Sequence, residues 1–206
     1  SWSSIDYGGN WKALHYAARK FFSPILVSIR DLDDKIEIHV INDQHHEVES
    51  RIRLGLFNLN GDILFKDSSE IKVEPFSSTI YRAFDKNDFL SGIDLCATVF
   101  RAELFVGSKV MSRARQFFRR PKYLSIPSPE FDYEFERVSG KYVITVKSKS
   151  FLCQLHLISI KVRGVFSNNY FYMLQGEVQM IDFEPSENVE LKKSDLRVRT
   201  LYEIMN

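Results

Sequence analysis

Hydrophobic and polar residues alternate with a period of two along most of this chain, which is the pattern of half-buried β-strands. In the segment 35–41 every second residue is isoleucine or valine, and Glu37 and His39 lie between them. Residues 48–56 repeat the alternation, and Asn60-Gly61 is a strong hairpin signal. The pattern predicts a mainly β chain.

The order of these segments predicts two domains. Further strands are expected at 63–66, 77–84, 95–106 and 109–117, with one helical turn at 85–90, and many short strands in succession are typical of a β-sandwich. The segment 119–129 is rich in proline and cannot continue a central strand, so it is predicted to be a linker. The alternation then resumes at 131–138, 141–147, 151–160, 170–174, 177–183 and 196–205, which predicts a second, smaller sandwich.

Residues 11–22 follow a helical period instead, with Asn10 as the expected cap and Ser23-Pro24 as the end. One predicted apolar face contains Trp11, Leu14, His15, Ala18 and Phe22, and a second strip contains Ala13, Ala17 and Phe21. Burying a large side chain contributes about 1.5–3 kcal/mol, whereas ordering the backbone costs about 1–2 kcal/mol per residue. We therefore expect this helix to be ordered only where a surface covers it. Without a further domain it should dock on the first sandwich, self-associate through residues 11–22, or become mobile.

The composition of the chain mainly excludes classes of partner. The chain has 206 residues, of which 44% are hydrophobic and 27% charged, as in globular domains. Its net charge of +1 gives no long-range attraction to a polyanion. We therefore expect no nucleic-acid partner, and no membrane partner because no apolar run has the length of a span. Cys96 and Cys153 lie in separate strand-like segments and are predicted to be buried free thiols.

Candidate chemistry is sparse. The chain offers carboxylate pairs and adjacent histidines, namely Glu47 with Glu49, Glu134 with Glu136, and His45 with His46. Glycosidases need two opposed carboxyl groups, but these pairs are better interpreted as solvated strand faces, with no second carboxylate opposite them. A metal site needs three or four converging ligands, so the histidines are interpreted as a polar turn. We expect no catalytic residue, no metal ligand and no cofactor within this chain.

A basic stretch and one tryptophan leave alternatives open. The stretch contains Arg113, Arg115, Arg119, Arg120 and Lys122, with Phe117 and Phe118 among them. Such interleaving can bind nucleic acid, but a strand face followed by an interdomain linker is favoured. Trp2 lies in a loop with no periodic core position, so it is either a structural plug or a platform for a sugar ring.

Two motifs resemble a known family. Ser-Trp-Ser-Ser-Ile-Asp-Tyr, a glycine turn, and Trp-Lys-Ala-Leu-His-Tyr, ending at Tyr16, resemble the stretch after the eighth barrel strand in β-mannosidases of glycoside hydrolase family 2. Phe166-Ser-Asn-Asn-Tyr-Phe-Tyr-Met-Leu-Gln-Gly-Glu177 resembles a motif of the same family's C-terminal immunoglobulin-like domain, although Asn168 replaces the usual Asp. The resemblance covers essentially the whole chain.

The resemblance implies residues 1–25 as the last loop and helix of a (β/α)8 catalytic barrel, 26–121 as a first immunoglobulin-like β-sandwich and 122–206 as a second. Members are retaining exo-β-mannosidases whose two catalytic glutamates would precede Ser1, so we expect a non-catalytic part of a larger protein. Its partners would be the barrel of the same polypeptide and that enzyme's carbohydrate substrate, with Trp2 bordering the sugar site. Family analogy favours a periplasmic, secreted or lysosomal location. A carbohydrate-binding module and a protein-interaction domain are the alternatives.

Overall fold

The computed structural model describes residues 3–187 and 189–205, and β-strands dominate it. The described residues up to Arg19, together with those from Ile126 onward, form one unit, and Lys20–Ser125 form the other. Cys96 and Cys153 are free thiols, as predicted, although only Cys153 is buried. No helix among the described residues is long and apolar enough to cross a membrane.

Lys20–Ser125 contains the first sandwich. Its strands are β1 (Ile25–Asp31), β2 (Lys35–Asn42), β3 (Val48–Asn58), β4 (Ile63–Val73), β5 (Ser77–Asp85), β6 (Thr98–Val106) and β7 (Lys109–Phe117). They form an antiparallel sheet of order β1-β2-β5 and another of order β4-β3-β6-β7. The alternation predicted by the sequence faces inward, because Ile36, Ile38, Ile52, Leu54 and Phe100 are all fully buried.

The two sides of this sandwich differ. On one side the backbone N–H of Val27 in β1 donates to Ser112 Oγ of β7 at 3.0 Å. On the other side lie the edge strands β4 and β5, which the ion pair between Arg82 and Asp67 connects. A cavity of about 370 Å³ opens there between residues of β2, β4 and β5. The first sandwich is therefore open along its β4–β5 side.

The local predictions in this region hold except at two strand ends. The predicted helical turn is α2 (Lys86–Phe89), capped by Asp85, whose carboxylate accepts from the N–H groups of Asn87 and Asp88. The strand expected at 63–66 continues to Val73, because all of β4 pairs with β3. The strand expected at 95–106 begins only at Thr98, whose hydroxyl donates to the carbonyl of Asp94 in a preceding turn.

The second sandwich follows a short 3₁₀ turn at Pro121–Tyr123. Its strands are β8 (Phe131–Val138), β9 (Lys141–Ser148), β10 (Leu152–Ser159), β11 (Gly164–Phe166), β12 (Phe171–Met173), β13 (Val178–Pro185) and β14 (Leu196–Arg199), with a 3₁₀ turn at Lys193–Asp195. The sheets have the orders β11-β13-β9-β8 and β12-β10-β14. Their facing side chains form a core around Tyr142, Ile144, Leu155 and Phe183.

Two sequence predictions are wrong in this half. The short strand β11 was not predicted, because three residues are too few for a visible alternation. The strand expected at 196–205 ends at Arg199, and Tyr202–Met205 form the short helix α3. The reason is local, because the carboxylate of Glu203 accepts the backbone N–H of Thr200 at 2.9 Å and draws the chain into a turn.

The N-terminal helix α1 spans Ala13–Phe21. The prediction that Asn10 caps a helix starting at residue 11 is wrong, since the Asn10 side chain donates to Asp6 at 2.9 Å. Trp11 instead forms an isolated β-bridge with Ile5. These interactions belong to a tight loop, so the backbone becomes helical only at Ala13.

The predicted buried face of α1 is also wrong in part. Tyr16 is the buried residue of the helix, with 4% of its surface exposed. Leu14 and Phe22, assigned to the buried face by helical spacing, are 55% and 81% exposed. Phe21, on the second predicted strip, is 50% exposed. The helix therefore packs along a different line from the one that its periodicity indicates.

Candidate functional site

The segment before β1 packs on the second sandwich, and Tyr16 makes the contact. Tyr16 belongs to the same buried cluster as Phe166, Phe171 and Phe183, and Trp11 packs against the edge of that cluster. The expectation that this helix docks on the first sandwich is therefore wrong for Tyr16. The reason is that a tyrosine can be buried where its hydroxyl finds hydrogen-bond partners. A prediction from the spacing of apolar residues alone does not include tyrosine among the buried positions.

The two motifs noted in the sequence meet at this contact. Burial raises the pKa of the Tyr16 phenol, and the nearby side chain of Asn169 and backbone of Phe166 partly oppose the rise. Arg19, one helical turn further on, donates from Nη1 to the carbonyl of Ser167 at 3.4 Å. The end of the first motif is thus held by the beginning of the second.

Asn169 holds the second motif in place. It is 3% exposed, and its Oδ1 accepts the N–H of Leu157 at 2.8 Å and that of Tyr170 at 3.0 Å. Its Nδ2 donates to the carbonyl of Leu157 at 2.9 Å. Leu155 pairs with Phe171 in the β10–β12 ladder, so the Asn169 carboxamide continues that ladder by one position with side-chain atoms.

A row of aromatic rings extends from this junction. Tyr170 stacks on His156 with centroids 4.2 Å apart and lies 5.9 Å from the ring of Tyr16. The φ of Tyr170 is +52°, which is unfavourable for a residue with a Cβ atom. Burial, and secondarily the charge of Arg199, lowers the pKa of His156. Burial also raises the pKa of Tyr170.

Trp11 is enclosed in the same way. Its ring lies 4.2 Å from that of His15 and 5.5 Å from that of Tyr16, and the Arg19 guanidinium is 5.1 Å from the Trp11 ring centroid. These neighbours surround the indole, so it does not present an open platform. The interactions tie the loop before the helix to the helix itself.

A cavity of about 280 Å³ remains between this segment and the sheet. Its polar lining comes from Asp6, Asn10, Lys12, His156 and Ser159. Hydrogen bonds from Asn10 lower the pKa of Asp6, and Ser159 Oγ donates to the carbonyl of Val162. These groups already serve local structure, and among the described residues that line the cavity no serine hydroxyl is hydrogen-bonded to a histidine. The arrangement is that of a structural joint.

The residues proposed from the sequence lie elsewhere. Trp2 is outside the described residues. Glu134 is exposed and paired with Lys147 at 2.7 Å. Its neighbour Glu136 is also exposed. The carboxylates of Glu47 and Glu49 lie 3.3 Å and 3.6 Å from the ammonium of Lys72, and His45 and His46 are exposed next to them. Within residues 3–187 and 189–205, no three potential metal ligands lie together.

The basic stretch is divided by the fold. Arg113 pairs with the buried carboxylate of Glu103 on the neighbouring strand at 2.6 Å. Phe118 belongs to the core of the first sandwich. Arg119, Arg120 and Lys122 are exposed after β7 ends. The stretch is therefore not one continuous basic surface, and its proposed interdomain role stays a prediction.

Comparison with known families agrees with this architecture. Residues 34–123 match the family model of the mannosidase Ig/CBM-like domain. Residues 126–204 match the family model of the mannosidase Ig-fold domain. Together the two ranges include most of the chain.

Individual relatives are distant but cover nearly all of it. Beta-mannosidase A of Emericella nidulans is 23% identical over 98% of this chain and 24% of its own length. Beta-mannosidase of Mus musculus is 23% identical over 94% of this chain and 23% of its own length. This chain thus spans about a quarter of these relatives.

Solved structures show the same fold. The β-D-mannosidase of Dictyoglomus thermophilum superposes with a TM-score of 0.84 at 20% identity, covering 97% of this chain and 24% of that one. The exo-chitosanase CsxA of Amycolatopsis orientalis gives 0.70 at 13% identity, with 97% and 29% covered.

Sequence reasoning missed the residues that make the joint. Tyr16 and Asn169 were both present in quoted motifs, but neither was assigned a role. The signal that could have found Asn169 is an asparagine directly before the short apolar strand β12, where side-chain amides commonly replace backbone partners.

Proposed function

We propose a non-catalytic accessory role for this chain, which belongs to the β-mannosidases of glycoside hydrolase family 2 and contains Ig-like domains of that family. It would be an accessory region of a retaining exo-β-mannosidase. The enzyme would remove terminal β-D-mannose from β-mannosides, and its catalytic carboxylates would lie on a barrel outside this chain. The accessory region would hold the last elements of that barrel in place.

The observation that carries the proposal is the joint at Tyr16. In the family, the first motif follows the barrel's eighth strand, and here its last residue is buried in the second sandwich, against Asn169 and Phe166. A loop that is fixed at one end by a separate domain loses conformational freedom, and rigid support of this kind is what an active-site loop requires. The contact at Tyr16 would therefore restrict the conformations of the loop that precedes the helix, where that loop borders the active site of the barrel.

The opposite side of the helix supports the same reading. Leu14 is 55% exposed, and Tyr7 in the preceding loop is fully exposed. Exposed large apolar side chains within one short segment are typical of an interaction surface. Covering each would contribute about 1.5–3 kcal/mol, and a catalytic barrel of the same polypeptide is the partner we propose.

Two measurements test the proposal. The chain purified alone should not hydrolyse 4-nitrophenyl β-D-mannopyranoside, and turnover by a pure preparation would contradict it. Leu14→Asp should leave the thermal midpoint of the isolated chain unchanged but lower that of the full-length polypeptide. Ile63→Asp is the matched control, because Ile63 is similarly exposed, at 58%, on the first sandwich. Equal effects of both variants in the full-length protein would also contradict the proposal.

A further inference from the structure

The connection between β4 and β5 carries a strained and exposed phenylalanine. Phe76 has a φ of +47°, and 73% of its surface is exposed. A left-handed conformation is unfavourable for a residue with a Cβ atom, and glycine or asparagine normally occupies it. The exposed ring gains little from burial. Strain at an exposed aromatic residue is a reason to look for a function.

The surroundings of Phe76 are fixed by a buried asparagine. The side chain of Asn42, which is fully buried, donates to the carbonyls of His46, Val73 and Glu74 at 2.9–3.1 Å. The backbone N–H of Phe76 donates to the carbonyl of Gln44 at 3.1 Å. These bonds join the loop after β2 to the connection after β4, so this end of the sandwich is preorganised.

Further rings lie beside Phe76. The ring of His45 is 6.4 Å from that of Phe76 with an angle of 37° between the planes, and the ring of His46 is 5.8 Å from that of His45. All three residues are exposed. Trp11 is enclosed by two rings and a guanidinium group. Among the described residues, the Phe76 ring has only the His45 ring beside it and no cation over its face.

Phe76 lies in the connection between Val73 of β4 and Thr79 of β5, and both of these residues line the cavity on the open β4–β5 side. This cavity of about 370 Å³ is lined by Ile71, Lys72, Val73, Thr79 and Tyr81, among others. Tyr81 is half-buried and packs partly against the core, whereas Thr79 is exposed, and both contribute to the lining of the cavity. Ligand sites combine apolar walls with a few such polar groups.

We propose that this end of the first sandwich, defined by Phe76, His45 and the cavity with Thr79 and Tyr81, binds a neutral oligosaccharide. A sugar ring has an apolar C–H face that packs on an aromatic ring and hydroxyls that hydrogen-bond to side chains. Phe76 is three residues from Thr79, a reach of about 10 Å along an extended chain, so several sugar units are needed to span the site.

The charge of the site favours a neutral ligand over a polyanion. Lys72 is the cation lining the cavity, and Glu47 and Glu49 both pair with it, so no positive charge is left uncompensated there. A preference for a mannan over other neutral oligosaccharides would rest on the proposed function, whereas binding itself does not. The Leu14 experiment does not involve Phe76, so the two proposals can fail separately.

The test is a titration of the isotope-labelled chain with β-1,4-mannohexaose and with cellohexaose at millimolar concentrations, followed by amide NMR shifts. We expect shifts confined to residues 42–47 and 71–81. Phe76→Gly should weaken binding at least tenfold while leaving the thermal midpoint unchanged or higher, because glycine relieves the positive φ. Phe76→Trp should retain binding. Tyr123→Ala, which removes another exposed aromatic ring (57%), should not affect it.

Three outcomes would overturn the proposal. The first is the absence of shifts with both oligosaccharides. The second is a set of shifts elsewhere that Phe76→Gly does not reduce. The third is concentration-dependent association of the chain without sugar that Phe76→Gly abolishes, because the ring would then serve a contact between copies.

Discussion

Replacing Asn169 with alanine should destabilise the second sandwich strongly, and far more than the same change at the adjacent Asn168. The Asn169 carboxamide satisfies the N–H and the carbonyl of Leu157 and the N–H of Tyr170, at 2.8–3.0 Å. Leu157 is 1% exposed, so water cannot replace the lost partner without opening the sheet. Alanine would leave these backbone groups unpaired in the interior.

The magnitude follows from the number of orphaned groups. A buried polar group without a partner costs about 1–3 kcal/mol, and the two groups of Leu157 alone give about 2–6 kcal/mol. This is a large part of the about 5–15 kcal/mol that stabilises a typical domain. For a domain of this size each kcal/mol lowers the midpoint by about 4–8 °C. We therefore expect the unfolding midpoint of the second sandwich to fall by at least about 8 °C.

The chain offers a selective assay. Its two tryptophans, Trp2 and Trp11, both lie in the N-terminal segment, and Trp11 packs against the core of the second sandwich. Tryptophan fluorescence during urea unfolding therefore reports on this unit, while circular dichroism reports on both sandwiches. Asn168→Ala is the matched control. If Asn169→Ala lowers the free energy of unfolding by less than about 1 kcal/mol, or by the same amount as Asn168→Ala, the Asn169 side chain does not stabilise the β10–β12 ladder.

Three further predictions concern the same unit. Tyr16→Phe removes only the polar interactions of the hydroxyl and should lower the free energy of unfolding by about 1 kcal/mol. Tyr16→Ala also removes the buried ring, so it should cost about 3–5 kcal/mol and red-shift the Trp11 emission; equal costs of the two variants would contradict a role of the ring. Because burial lowers the pKa of His156 below its ordinary 6.5, the unfolded state takes up the proton first, so the unfolding free energy should fall as pH drops below about 6.5; the loss should be smaller in His156→Gln, and identical pH profiles would refute this. Gly164→Ala should cost about 1–3 kcal/mol in urea unfolding, because an added Cβ would lie 2.4 Å from the carbonyl oxygen of Glu184; an unchanged midpoint would show that the strand can shift.

The sequence was sufficient for those parts of the fold that local patterns determine. The inward alternation of β2 and β3, the hairpin at Asn60-Gly61 and the turn capped by Asp85 all depend on residues close in the chain. Hydrophobic period and turn chemistry are local signals, so one sequence suffices to read them. The two β-sandwiches followed from the number and spacing of such strands, whereas the resemblance to a known family implied that they are immunoglobulin-like.

The helix shows where this reasoning stops. Its period assigns Leu14 to a buried face, but the structure buries Tyr16. The reason is that the helix contacts residues 166–170, which are far away in the sequence. The hydrogen bond between Arg19 and Ser167, for example, joins residues 148 positions apart. A helical period gives the direction of apolar groups but not the position of a polar partner for a phenol. Only the fold determines that position.

Two of the four non-glycine residues with positive φ among the described residues, Tyr170 and Phe76, were equally hidden from the sequence, and they differ in what accounts for their strain. Tyr170 adopts a positive φ directly after Asn169, whose side chain has replaced the backbone in the ladder, so its strain is offset by three hydrogen bonds within a buried joint. Phe76 adopts a similar φ, but its ring is exposed and its stabilising bonds belong to the neighbouring loops. Strain at Tyr170 therefore has a sufficient structural cause, since a residue must turn the chain there. The structure supplies no such cause for a large aromatic ring at position 76, where glycine would make the same turn with less strain, and this difference is why Phe76 and not Tyr170 points to a ligand.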